Sequence, residues 1–190
     1  MANIRPFRGT LPTLGARVYV DPAATVIGDV AIGDDSSLWP GTVVRGDVNL
    51  VRIGARCNLQ DGTIVHVSHR GPHSRMDGYP TLIGDDVTIG HGAIVHACRI
   101  GNAALIGMGA TVMDGVVVED HGYVGAGALV PPGKVVRSRE LWLGNPARMV
   151  RVLDDAAVEG LLYSAAHYVR LKDEYLAEVI PDTVRSQPPL

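Results

Sequence analysis

The residues best suited to chemistry in this chain are three histidines. His91 and His96 stand five residues apart in "TIGHGAIVHA" (Thr88–Ala97), and His66 closes a similar segment, "NLQDGTIVH" (Asn58–His66). Imidazole is the commonest protein ligand of zinc and related metals, and three of them leave a fourth position open for water. The spacing suits no single element. A helix would want ligands four apart, and a strand turns residues five apart to opposite faces. Whether the three can share one ion depends on what positions them.

What positions them is an internal repeat. Leu14, Val20, Val26, Ile32, Leu38 and Val44 follow one another at intervals of six. After a three-residue insertion the series resumes at Ile53, Leu59 and Val65. It returns at Ile83, Ile89 and Val95, slips by one, and runs from Ile100 through Ile106, Val112, Val118, Val124 and Val130 to Val136. The next residue is often glycine (Gly33, Gly54, Gly84, Gly90, Gly101, Gly107, Gly125). A period of six fits neither an amphipathic helix nor a half-buried strand. It predicts an all-β parallel β-helix of hexapeptide repeats, three to a triangular coil, with the aliphatic residue pointing inward. The domain is expected over residues 1–153. The segment 67–81, "VSHRGPHSRMDGYPT", is rich in Gly, Pro, Ser and His and reads as a loop thrown out of the coil. Val158, Leu161, Leu162, Ala165, Val169, Leu176 and Val179 recur near helical spacing, which predicts a C-terminal α-helix over 154–180, capped by Asp154 or Asp155 and packed on the β-helix. Residues 181–190 are expected to form a tail.

The phase of the repeat places the histidines. His66 follows Val65 and His96 follows Val95, a separation of 30 residues. Subtracting a twelve-residue loop leaves eighteen, one full coil. The two rings should therefore stack outward, ~4.8 Å apart. His91 sits at a corner, two places after Ile89, about 16 Å along extended chain from His96. Two ligands of one tetrahedral zinc have Cα atoms at most roughly 11 Å apart. His91 can then complete the site only from a neighbouring chain, and cyclic repetition of that contact predicts a homotrimer with metal sites shared between subunits. Arg45 lies one coil below His66 and Asp61 one coil below His91, so an interchain Arg45–Asp61 pair is expected beneath the metal. Asn58 and Gln60 flank Asp61 and are positioned to reach a metal-bound water.

The bulk properties exclude several classes. Net charge is −3 and the pI near 6.1, which favours neither nucleic acid nor an anionic membrane. No apolar run is long enough to span a bilayer. The start, "MANIRPFRGTLP", lacks the apolar core of a signal peptide, and two cysteines, Cys57 and Cys98, fit a reducing, cytoplasmic setting. With one phenylalanine, the core must be built from aliphatic residues. Trp39 is expected outward, as a subunit or helix contact.

"RGD" (Arg45–Asp47), "NLQDGTIVH" and "IGHGAIVH" (Ile89–His96) resemble the γ-class carbonic anhydrases and their relatives. The resemblance implies a left-handed coil. It implies metal ligation by His66, His91 and His96, a subunit-bridging pair of Arg45 with Asp61 near Asp47, water-positioning roles for Asn58 and Gln60, and a helix tyrosine at Tyr163 reaching the pocket. Val48 follows Asp47, and Asp77 is the loop's one acidic residue, so the chain resembles the branch without the acidic proton-shuttle loop. The implied reaction is hydration of CO2 to bicarbonate by zinc-activated hydroxide, with Fe2+ or Co2+ as possible replacements for Zn2+. His69, His73 or Tyr163 would carry the proton away, a loop histidine being preferred. Two alternatives come from other classes: an acyl-CoA thioesterase or acyltransferase of the hexapeptide-repeat type, and a metal-binding trimer without significant anhydrase activity.

Overall fold

The computed structural model describes residues 2–72 and 77–178. Short parallel strands wind into a prism whose inward residues stack in three columns. One column runs Leu14, Ile32, Ile53, Ile83, Ile100, Val118, Val136. The second runs Val20, Leu38, Leu59, Ile89, Ile106, Val124 and ends on Trp142. The third starts at Ile4 and continues through Val26, Val44, Val65, Val95, Val112 and Val130. The predicted register therefore holds across the loop and across the one-residue slip. It also extends one step beyond the predicted series at each end, to Ile4 and Trp142. Column residues such as Leu59, Val65, Ile89, Val95 and Ile106 are fully buried. Cys57 and Cys98 are buried beside them as free thiols, and burial pushes the Cys57 thiol up to about 12.

The glycine after the inward residue has a steric reason. A Cβ on Gly107 would lie 2.4 Å from the backbone nitrogen of Ala126 in the next coil, and one on Gly33 would lie 2.6 Å from that of Ala55. The corners bring backbone against backbone, and a side chain there would force the coils apart.

The loop leaves the coil later than predicted. Val67 is buried in the prism, Ser68 bridges Tyr79 in antiparallel fashion, and Thr81 already belongs to the strand Thr81–Ile83. His73 and the tail 181–190 lie outside the described residues. After the last coil a hairpin of Glu140–Gly144 and Ala147–Val152, which the repeat did not foretell, closes the end of the prism with Ala147 fully buried.

The helix spans Asp155–Ala177, with the Asp154 carboxylate accepting from the Ala157 N–H at 2.9 Å. It packs on the second face, against Tyr19–Val20, Ser37–Leu38, Asn58–Leu59 and Thr88–Ile89. Its buried stripe differs in part from the predicted one. Leu161 and Ala165 face inward, but Leu162 and Leu176 are exposed, and Lys172 is fully buried in their stead. The Lys172 ammonium meets Asp35 at 3.0 Å and Asp173 at 2.5 Å. Trp39 is a helix contact, its ring 5.6 Å from Tyr168 and 5.0 Å from Tyr175. Among the described residues no helix is long and apolar enough to cross a membrane.

Candidate metal centre

Strands Ile64–His66 and Ile94–His96 pair in parallel, with His66 opposite His96. Val65 and Val95 point into the core, so strand alternation turns both imidazoles outward. The ring centroids are 5.2 Å apart, and His66 Nδ1 lies 3.2 Å from His96 Nε2. Each ring's other nitrogen meets a carboxylate. His66 Nε2 is 3.0 Å from Asp47 Oδ1, and His96 Nδ1 is 2.6 Å from Asp114 Oδ1. An ionised carboxylate only accepts, so each outer nitrogen carries a proton and donates to its carboxylate. Burial lowers the His66 pKa and outweighs the opposing hydrogen bond to Asp47, which favours the neutral ring. With both rings neutral, the two inner nitrogens, 3.2 Å apart, would present lone pairs to a shared cation. Two ligand nitrogens on a tetrahedral zinc stand roughly 3.3 Å apart, given its bond lengths. The donor set and its spacing therefore fit a shared metal.

Asp47 is held twice. Burial pushes its carboxyl up, but hydrogen bonds from His66 and Arg45 prevail and leave it below the ordinary carboxylate range. Arg45 makes that contact within its own chain. His91 stands on the next corner, half-exposed, with Nδ1 2.9 Å from Asp61 Oδ2 of the preceding coil. Among the described residues of one chain, no three His, Cys, Asp or Glu side chains converge on a point that could hold a metal. Arg45 and Asp61, expected to pair across an interface, take other partners within the chain: Arg45 takes Asp47 and Asp61 takes His91.

The remaining expected residues are placed as follows. Asn58 is fully buried and Gln60 is 6% exposed. Gln60 donates to Asn58 at 3.0 Å, Asn58 to Thr88 at 2.9 Å, and Thr88 to Ser164 of the helix at 3.2 Å. Within one chain, then, the pair forms a ladder toward the helix and is bound to neighbours other than the histidines. Tyr163 is 67% exposed and lies flat against His167, 6.3 Å between centroids, with the Arg170 guanidinium 5.8 Å from its ring. His69 is exposed at the base of the loop. Sequence reasoning missed Asp114. The signal was available: Asp114 is two places after Val112, the coil-mate of Val95, and so stands at the corner just above His96.

Comparison with known proteins sets this geometry in context. The profile described as bacterial transferase hexapeptide (six repeats) matches residues 97–132. The protein YrdA of Escherichia coli is 49% identical over 91% of this chain and 94% of its own length. A mitochondrial protein of Arabidopsis thaliana named gamma carbonic anhydrase 1 is 47% identical over 88% of this chain, which spans 60% of that protein's length. A Methanocaldococcus jannaschii protein named probable carbonic anhydrase is 41% identical over 84% of this chain and 96% of its own. Among solved structures, a hexapeptide transferase family protein from Anaplasma phagocytophilum superposes with a TM-score of 0.83 at 40% identity, covering 91% of this chain and 98% of that one.

Proposed function

Because the chain belongs to the hexapeptide-repeat family that includes the γ-class carbonic anhydrases, we propose that it is a metal-dependent hydratase of CO2 working at the interfaces of a homotrimer. His66 and His96 of one subunit and His91 of the next hold the ion, with zinc the first choice and Fe2+ or Co2+ compatible with the same imidazoles. Zinc bound by three neutral imidazoles with one open position activates water for attack on CO2 near neutral pH.

The chain's own residues do the rest. Asp47 and Asp61 hold His66 and His91 through their outer nitrogens, which fixes the nitrogen each ring presents. Ile64 and Ile94 stack on the same face as the histidine pair and are 43% and 39% exposed, an apolar strip that a neighbouring corner would cover. Docking of that corner brings Asp61, still bound to His91, to Arg45, and the added ion pair holds the subunits together. Gln60 supplies an amide beside that corner to orient water, and the buried Asn58 accepts from it and sets its orientation. His69, with Tyr163 as the second candidate, takes the proton to solvent.

The observation that carries the reading is the pair of inner ring nitrogens 3.2 Å apart with both outer nitrogens against carboxylates. Metal analysis of anaerobically purified protein, followed by stopped-flow CO2 hydration on the same sample, tests it. One metal per chain, a mass of three chains and measurable hydration are expected. Metal-free protein that shows none of these properties after reloading would refute the reading. The match to a transferase hexapeptide profile favours a second reading, acyl transfer or hydrolysis on coenzyme A thioesters. Binding of coenzyme A by metal-free protein would select it. Stoichiometric metal with no rate on CO2 or thioester would instead select a binding trimer.

A further inference from the structure

The carboxylate that meets His96 has no role yet. Asp114 Oδ1 lies 2.6 Å from His96 Nδ1. Asp47 divides itself between His66 and Arg45, whereas Asp114 has no cationic partner other than His96 among the described residues. Its backbone is held from both sides: Gly115 N–H donates to Ala97 O at 2.8 Å, and Gly133 N–H donates to Asp114 O at 2.9 Å. The slip in the repeat explains its position. In an eighteen-residue coil, position 114 would stand in the column of His96 itself. The step from Val95 to Ile100 is five residues, its left-handed corner residue Ala97 standing two places after Val95 where Gly92 stands three after Ile89, so Val112 pairs with Val95 and Asp114 moves to the corner. From there its carboxylate meets the edge of the imidazole at Nδ1.

Resting on the metal centre proposed above, we infer that Asp114 is a positioning residue for it: by accepting the Nδ1 proton of His96 it fixes the tautomer and tilt that present Nε2 to the ion. It touches neither metal nor substrate. Hydrogen-bond partners of this kind typically contribute 10–100-fold to metal affinity.

The test uses the full chain and its Asp114→Ala and Asp114→Asn variants, with Co2+ as the probe. Chelator competition should show Co2+ affinity falling about 10–100-fold in Asp114→Ala, with partial recovery in Asp114→Asn, whose carbonyl still accepts. Nitrogen-15 NMR of the chelated proteins should show His96 as the Nδ1–H tautomer in the parent, and that preference lost in Asp114→Ala. Melting in the presence of chelator should match the parent, which separates positioning from general stability. Unchanged affinity in Asp114→Ala, or an Nδ1–H tautomer that persists there, overturns this inference alone. A parent chain that binds no Co2+ overturns the proposed function instead.

Discussion

Mixing two inactive variants gives the sharpest test of a divided site. His91→Ala keeps the His66–His96 pair and loses the third ligand; His96→Ala keeps His91 and breaks the pair. Both substitutions fall on outward side chains and leave the columns of Val65, Ile89 and Val95 intact, so both variants should fold. Each alone leaves every interface one ligand short. If the variants are unfolded together in equal amounts and refolded, random assembly gives about three quarters mixed trimers. Going around the ring, every mixed trimer contains one interface at which an intact pair meets an intact His91. The mixture should therefore regain about one quarter of the parent's metal content, and CO2 hydration should rise in proportion. The assay is metal per chain after gel filtration, against each variant refolded alone. The fraction depends on nothing but the division of ligands. A mixture that binds no more metal than its components would refute the division and return His91 to its own chain. So would either variant that binds fully alone.

Three further outcomes follow from the packing. Ile89 is fully buried between Leu59 and Ile106, and Ile89→Ala should destabilise the chain by about 2–5 kcal/mol in urea unfolding. Asp35→Ala should lower stability by roughly 2 kcal/mol, because Lys172 stays fully buried with Asp173 alone, while Lys172→Met should remain within about 1 kcal/mol of the parent; the reverse order would show that the ammonium is not buried. The Asp35 carboxyl is pushed up by burial, but Lys172 and Arg17 prevail and hold it below its ordinary value. A carboxylate lowered in the folded state contributes stability that is full above about pH 4 and lost as pH falls through the folded value. Acid unfolding of Asp35→Asn should therefore show a weaker dependence on pH below 4 than the parent, measured by circular dichroism.

The sequence by itself determined the solenoid and the stacking of His66 on His96. A period of six repeats one local backbone geometry, and once each aliphatic residue is inward, the side chain after it must be outward. Val65 and Val95 pair in register, as counting by sixes gives once a twelve-residue loop is set aside, and the glycines at Gly33 and Gly107 mark corners where coils touch. Partner choice was not legible in the same way. Which carboxylate meets which imidazole depends on corner geometry, as the displacement of Asp114 by the turn at Ala97 shows. Asn58 and Gln60 were read as neighbours of a metal-bound water; their ladder to the docked helix through Thr88 and Ser164 was not legible in the spacing. Helical periodicity named Leu162 and Leu176 for the buried stripe, but the face that docks carries Leu161, Ala165 and Lys172, whose ammonium meets Asp35 of a corner far away in sequence. Periodicity is a property of the chain near each residue, and it can be counted. Ion pairs, caps and tautomers belong to surfaces that meet only after folding, and tertiary structure alone decides them.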